Sequence, residues 1–130
     1  MAGKVVVSTL NDDTGVLATQ NGMTGIAKAW VNFNGLSGAS PVVRNSFNVS
    51  SVTRNSTGQY TVNFTTAMPN VNYTVACSGS FDSSGTGNYG FNVQKSFGAN
   101  TTTSMQIGAV YANGSLYSDG AYIDATVFGN

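Results

Sequence analysis

The chain has 130 residues, with five basic and five acidic side chains, no histidine, no glutamate and one cysteine. Only 8% of its residues are charged, against about 25% in an ordinary soluble domain; fifteen Ser, fifteen Thr, fifteen Asn and sixteen Gly supply the polar surface instead. These counts exclude histidine-based nucleophile systems and imidazole switches, argue against zinc, and rule out an intrachain disulfide.

Fifteen Val against four Leu favours strands over helices. Residues 1–24 are expected to form an extended N-terminal arm and residues 25–130 one β-sandwich domain. In the arm, Lys4 to Leu10 can make one short strand, with Val5, Val6, Val7 and Leu10 as candidate assembly contacts; Asn11 to Thr24 is polar, with Gly15 and Gly22 and no amphipathic period. Val5-Val6-Val7 is too short for the apolar core of a signal peptide, and no apolar run approaches the ~20 residues of a membrane span. The five cations, Lys4, Lys28, Arg44, Arg54 and Lys95, are scattered, unlike the basic stripe of a nucleic-acid module.

Strict alternation then predicts strands in order. Ala27, Ala29, Val31 and Phe33 alternate with Ile26, Lys28, Trp30 and Asn32, which sets Trp30 on the face opposite Phe33. Val43, Asn45, Phe47 and Val49 continue as one strand. The turn cluster Arg54-Asn55-Ser56-Thr57-Gly58 predicts a hairpin leading to Tyr60, Val62 and Phe64. Pro69 then breaks pairing. Tyr73, Val75, Cys77, Gly79 and Phe81 form the next strand, with Cys77 a small core residue. The polar loop Asp82 to Gly87 is expected to close a hairpin onto Tyr89, Phe91, Val93, Lys95 and Phe97. Met105, Ile107, Ala109 and Tyr111 follow, then Ala121, Ile123, Ala125 and Val127. About seven strands with polar turns predict an all-β, antiparallel sandwich or barrel-like domain. Strict antiparallel parity gathers Arg54, Asp82, Asn88, Tyr117 and Asp119 at one end, and brings the arm into the first strand at that same end.

Chemistry is sparse. Asp82 to Asn88 carries oxygen ligands at alternate positions but lacks the later bidentate Glu of a calcium loop, so neither metal nor cofactor is expected. Asp82, Asp119 and Asp124 could supply a carboxylate pair for glycoside hydrolysis, yet nothing fixes their separation, and the chain is not expected to be an enzyme. Six Asn-x-Ser/Thr triplets occur, a number that the abundance of these residues accounts for, and no glycan is assigned. Tyr117 lies in a predicted loop beside Asp119, a combination that can stack on a sugar and bond its hydroxyls; packing under the loop or against a neighbouring subunit is the alternative, and the more common role for such a tyrosine.

The stretches Ala27-Lys28-Ala29-Trp30-Val31-Asn32-Phe33-Asn34-Gly35, Arg44 to Thr53, and Gly58 to Tyr73 resemble a module of tailed-bacteriophage virion proteins, found at the C-terminal end of tail fibres. The resemblance runs from about residue 26 to 76. It implies a β-rich, trimeric distal domain for host attachment, in a protein located in the virion at the tail or capsid surface. On that basis Asn88, Tyr117 and Asp119 are expected to contact a host glycan, and the partners are further copies of the chain and other virion proteins, with no nucleic acid and no membrane insertion. The alternative is a capsid decoration or cement protein; a carbohydrate-active enzyme is a third reading.

Overall fold

A computed structural model describes residues 26–38, 40–81, 91–95, 98–111 and 117–129. They form an all-β sandwich of eight strands: β1 (Ala29–Asn34), β2 (Val42–Phe47), β3 (Val49–Ser56), β4 (Gln59–Phe64), β5 (Thr74–Ser80), β6 (Phe91–Lys95), β7 (Ser104–Tyr111) and β8 (Tyr122–Phe128). One antiparallel sheet has the order β2-β1-β8-β5 and the other β3-β4-β7-β6. Val5, Val6, Val7 and Leu10 lie outside the described residues.

Period-two patterning built the core as expected. Val31 and Phe33 of β1, Tyr60 and Val62 of β4, Met105 and Ile107 of β7, and Ile123 and Val127 of β8 are fully buried between the sheets. Each such side chain contributes about 1.5–3 kcal/mol through removal from water. Phe33 meets Tyr60 edge to face across the sandwich, with ring centroids 5.0 Å apart, and Phe64 meets Tyr73 in the same way at 5.7 Å. Trp30 points away from that core, as the alternation of β1 requires.

Three expectations about connectivity are corrected. The run from Val43 to Val49 is two strands, because Asn48 adopts φ 53° and turns the chain from one sheet into the other. Asparagine tolerates this left-handed conformation. Its side chain also fixes the corner: Nδ2 donates to the carbonyls of Lys28 and Thr66 at 3.0 and 3.1 Å, and Oδ1 accepts the Thr66 N–H at 2.7 Å. Next, the expected hairpin of β5 and β6 has no ladder among the described residues: β5 pairs with β8 and β6 with β7, in opposite sheets, and the two strands lie side by side where the sheets meet.

The extra strand also reverses the parity count. The Gly35 N–H bonds the Gly120 carbonyl (2.8 Å), the Ala109 N–H bonds that of Gly58 (2.7 Å), and the Ala121 N–H bonds that of Phe81 (3.0 Å). These bonds gather the β1–β2, β3–β4 and β7–β8 connections and the exit of β5 at one end. At the other end the Lys28 N–H bonds the Val127 carbonyl (2.8 Å) and the Thr65 N–H that of Asn48 (3.2 Å). The chain therefore enters β1 at the end opposite Arg54, Tyr117 and Asp119.

Cys77 sits half-buried against the core, and burial pushes its thiol up to about 11. Its thiolate fraction at pH 8 is then about one in a thousand. Native protein should react with a disulfide reagent at pH 8 roughly 100-fold more slowly than urea-unfolded protein; equal rates would contradict this burial.

Candidate functional site

The β3–β4 hairpin, which the sequence predicts, turns at Thr57-Gly58, with Gly58 at φ +65°. A side chain cannot be added there without strain. An ideal Cβ would lie 2.6 Å from the Ala109 carbonyl oxygen and 2.6 Å from the Ser118 amide nitrogen. The hairpin tip is thus pressed against β7 and the residues that lead into β8. The Ser118 N–H in turn bonds the Ala109 carbonyl at 3.0 Å.

This close approach brings Asp119 over the hairpin. Arg54 donates to both carboxylate oxygens, Nε at 3.0 and 3.1 Å and Nη2 at 2.7 Å, while Nη2 also reaches Thr57 Oγ1 at 2.9 Å. The Gly58 N–H donates to Asp119 Oδ1 at 2.9 Å, and the Tyr60 hydroxyl donates to the same oxygen at 2.5 Å. A bidentate Arg–carboxylate pair with further donors is a strong, directional unit. Asp119 therefore gathers a guanidinium, a backbone amide and a phenol from a segment about 60 residues away. Gly35 completes the enclosure, since an added Cβ there would run into the Tyr60 hydroxyl.

The electrostatics follow from these contacts. Burial alone would raise the Asp119 carboxyl, but hydrogen bonds from Arg54, Tyr60 and Gly58 outweigh it and hold the group below the ordinary carboxylate range. Burial and the bond to Asp119 push the Tyr60 phenol well above its usual value. Tyr73, whose hydroxyl bonds the Thr101 and Ser104 carbonyls at 3.0 and 2.9 Å, is pushed up to about 12 by burial.

A depressed carboxylate stabilises the fold above its unfolded value, and this contribution is lost as pH falls through the folded one; a raised phenol or thiol stabilises below its unfolded value and loses that contribution as pH rises. With no histidine in the chain, little titrates in between. Thermal melts should show a flat melting temperature from about pH 5 to 8.5, falling on the acid side through Asp119 and above about pH 9–10 through Cys77, Tyr73 and Tyr60. A step centred near pH 6.5 would contradict this.

Of the predicted contact residues, Tyr117 and Asp119 share this end. Tyr117 is exposed and bridges to Val110 of β7, whereas both Asp119 oxygens accept bonds from within the chain. Asn88 and Asp82 lie outside the described residues. Asp124 belongs to a different set on the outer face of the β2-β1-β8-β5 sheet: its Oδ1 accepts from Asn32 Nδ2 at 2.5 Å. Nearby, the Arg44 guanidinium lies 4.2 Å from the Tyr122 ring centroid and donates from Nη2 to the Ala121 carbonyl at 2.7 Å. Sequence reasoning placed Arg54 and Asp119 at one end but missed Tyr60, whose alternation marks it only as core.

Comparison with known proteins adds no relative: no family model, no curated protein and no solved structure matches the chain.

Proposed function

We propose that the chain is a bacteriophage virion structural protein, a tail-fibre or receptor-binding domain that attaches to the host surface by non-covalent, multivalent contacts. The observation that carries this reading is the polarity of the sandwich. The chain enters β1 beside Asn48 and Val127, and the exposed Tyr117 lies at the opposite end, anchored by the Arg54–Asp119–Tyr60 cluster. A module mounted through its N-terminal side thus turns the Tyr117 loop outward. The resemblance over about residues 26–76 supports the same reading, as does a surface of hydroxyl and amide groups suited to uncharged sugar hydroxyls.

In this mechanism Tyr117 stacks on a host glycan, Asn88 bonds its hydroxyls, and Asp119 positions the loop from beneath. Single sites of this kind are weak. Three copies in a homotrimer gain avidity when the host surface lets several bind together. Tyr117→Ala on the assembled particle should slow host adsorption at least about tenfold, the scale of losing one central aromatic contact per subunit, in a chain that thermal melts show to be still folded. Unchanged adsorption by this stably folded variant would overturn the assignment of Tyr117.

The second reading, a capsid decoration or cement protein, draws on a different observation: strand β2 exposes apolar side chains suited to a protein partner. The position of the chain in the particle separates the two.

A further inference from the structure

Among the described residues, β2 pairs with β1 on one side and is the edge of its sheet. Val42 is 55% exposed and Phe47 53%. Phe47 stands opposite Trp30 on the outer face, whereas Val43 stands opposite the buried Phe33 on the inner one and is exposed as well. The edge thus presents apolar side chains on both faces, with the exposed Arg44 and Asn45 between them. The other edges with described side chains differ: β3 exposes Ser51, Thr53 and Asn55, and β5 exposes Thr74, Ala76 and Ser78.

Beyond its ladder with β1, the backbone of β2 has a weak local bond. The Ser46 N–H donates to the adjacent Asn45 Oδ1 at 2.9 Å in an exposed setting, while the Val42 N–H donates to Ser37 Oγ within the β1–β2 connection at 3.2 Å. An incoming strand can displace such a local bond. An apolar edge strand is a template for a further strand, and proteins that keep one exposed generally cover it.

We propose that the segment Lys4–Leu10 of a second copy pairs with the free edge of β2, so that each copy gives one strand and receives one around the ring. This rests on the trimer reading above. Two observations identify the occupant. The chain enters β1 beside the lower end of β2: Asn48, directly after β2, bonds the Lys28 carbonyl at 3.0 Å. Val5-Val6-Val7, in the segment before this entry, is the β-branched composition a strand requires.

The length between favours a neighbour over the same copy. Asn11 to Gly25 extends up to about 50 Å, while β2, with six residues, is about 20 Å long. Pairing with the copy's own β2 would leave that reach as a long structureless loop, which compact domains rarely carry. Reaching the next copy uses it, and a closed ring leaves no β2 edge uncovered.

The test uses the full chain with Cys77→Ser, to remove the native thiol. Val5→Cys, Val6→Cys or Val7→Cys is combined in turn with Asn45→Cys, which is exposed on β2. After mild oxidation, at least one pair should convert most of the protein into disulfide-linked dimers and trimers, while the single-cysteine controls at 5, 6 and 7 do not. Sedimentation without oxidant reads the oligomer independently. Trimers with no cross-link from any pair, or cross-links confined within single chains, would overturn the strand exchange and leave the trimer standing. Monomers with no cross-link would overturn both. Deleting residues 1–10 gives a second readout: trimers should dissociate at least tenfold more readily, and an unchanged trimer would count against the exchange.

Discussion

Asp119→Ala is expected to lower the melting temperature by about 10–20 °C, the largest loss for any single surface carboxylate of this chain. Truncation removes the acceptor for the Gly58 N–H and the Tyr60 hydroxyl together. Tyr60 is fully buried and packed edge to face on Phe33, so its ring cannot swing out to find water. Leaving two such donors unsatisfied costs about 2–4 kcal/mol, and a domain near 100 residues loses about 4–8 °C per kcal/mol. Asp124→Ala is the control. That carboxylate lies on the outer face and bonds the half-exposed Asn32, so its removal should cost less than about 1 kcal/mol. A melting temperature within 2 °C of the parent for Asp119→Ala, on the scale of about 0.5 kcal/mol or less of an ordinary surface change, would show that the cluster does not hold the loop end together.

Gly58→Ala should destabilise as severely, by about 3 kcal/mol or more, and through the backbone alone. Two costs add: the left-handed φ of +65°, worth about 1–2 kcal/mol for a residue with a Cβ, and the approach of that Cβ to backbone atoms of Ala109 and Ser118 at 2.6 Å. Neither neighbour can rotate aside, because they are bonded to each other and Ala109 also to the turn itself. Relief requires the hairpin tip to lift from β7, which would take Asp119 away from its donors. Gly38→Ala separates the two costs. Gly38 has φ +82° with no atom within 4 Å of an added Cβ, so only the conformational cost of about 1–2 kcal/mol remains. Melting temperatures of the two variants that fell equally would contradict the packed-tip description.

What was legible in the sequence was whatever period-two alternation encodes. Val31 and Phe33, Tyr60 and Val62, Met105 and Ile107, and Ile123 and Val127 all lie inward because a strand between core and solvent has no other way to place apolar residues. Asn48 was not legible. The alternation of Val43, Asn45, Phe47 and Val49 runs through it unbroken, and no Gly or Pro marks the turn that its φ of 53° makes. That one residue changed the strand count and moved the chain entry to the other end of the domain. Nor does local pattern decide which strands pair across the chain: the polar loop after Phe81 suits a hairpin as well as the crossing between sheets that β5 and β6 make. At the candidate site, turn positions suggested that Arg54, Tyr117 and Asp119 share one end. The bonds from Arg54 and Tyr60 to Asp119 span 65 and 59 residues, separations on which no spacing rule acts.

Sparse charge gives the Arg54–Asp119 pair its weight: it is one of few ionic contacts open to the chain, and it holds a loop. On the proposed reading the mode of action is contact, through a fixed tip presented away from the point of attachment. Electron microscopy of assembled particles with gold-labelled antibody to this chain tests that claim most directly. The account predicts label confined to the distal ends of tail appendages, whereas label distributed over the head lattice would contradict it.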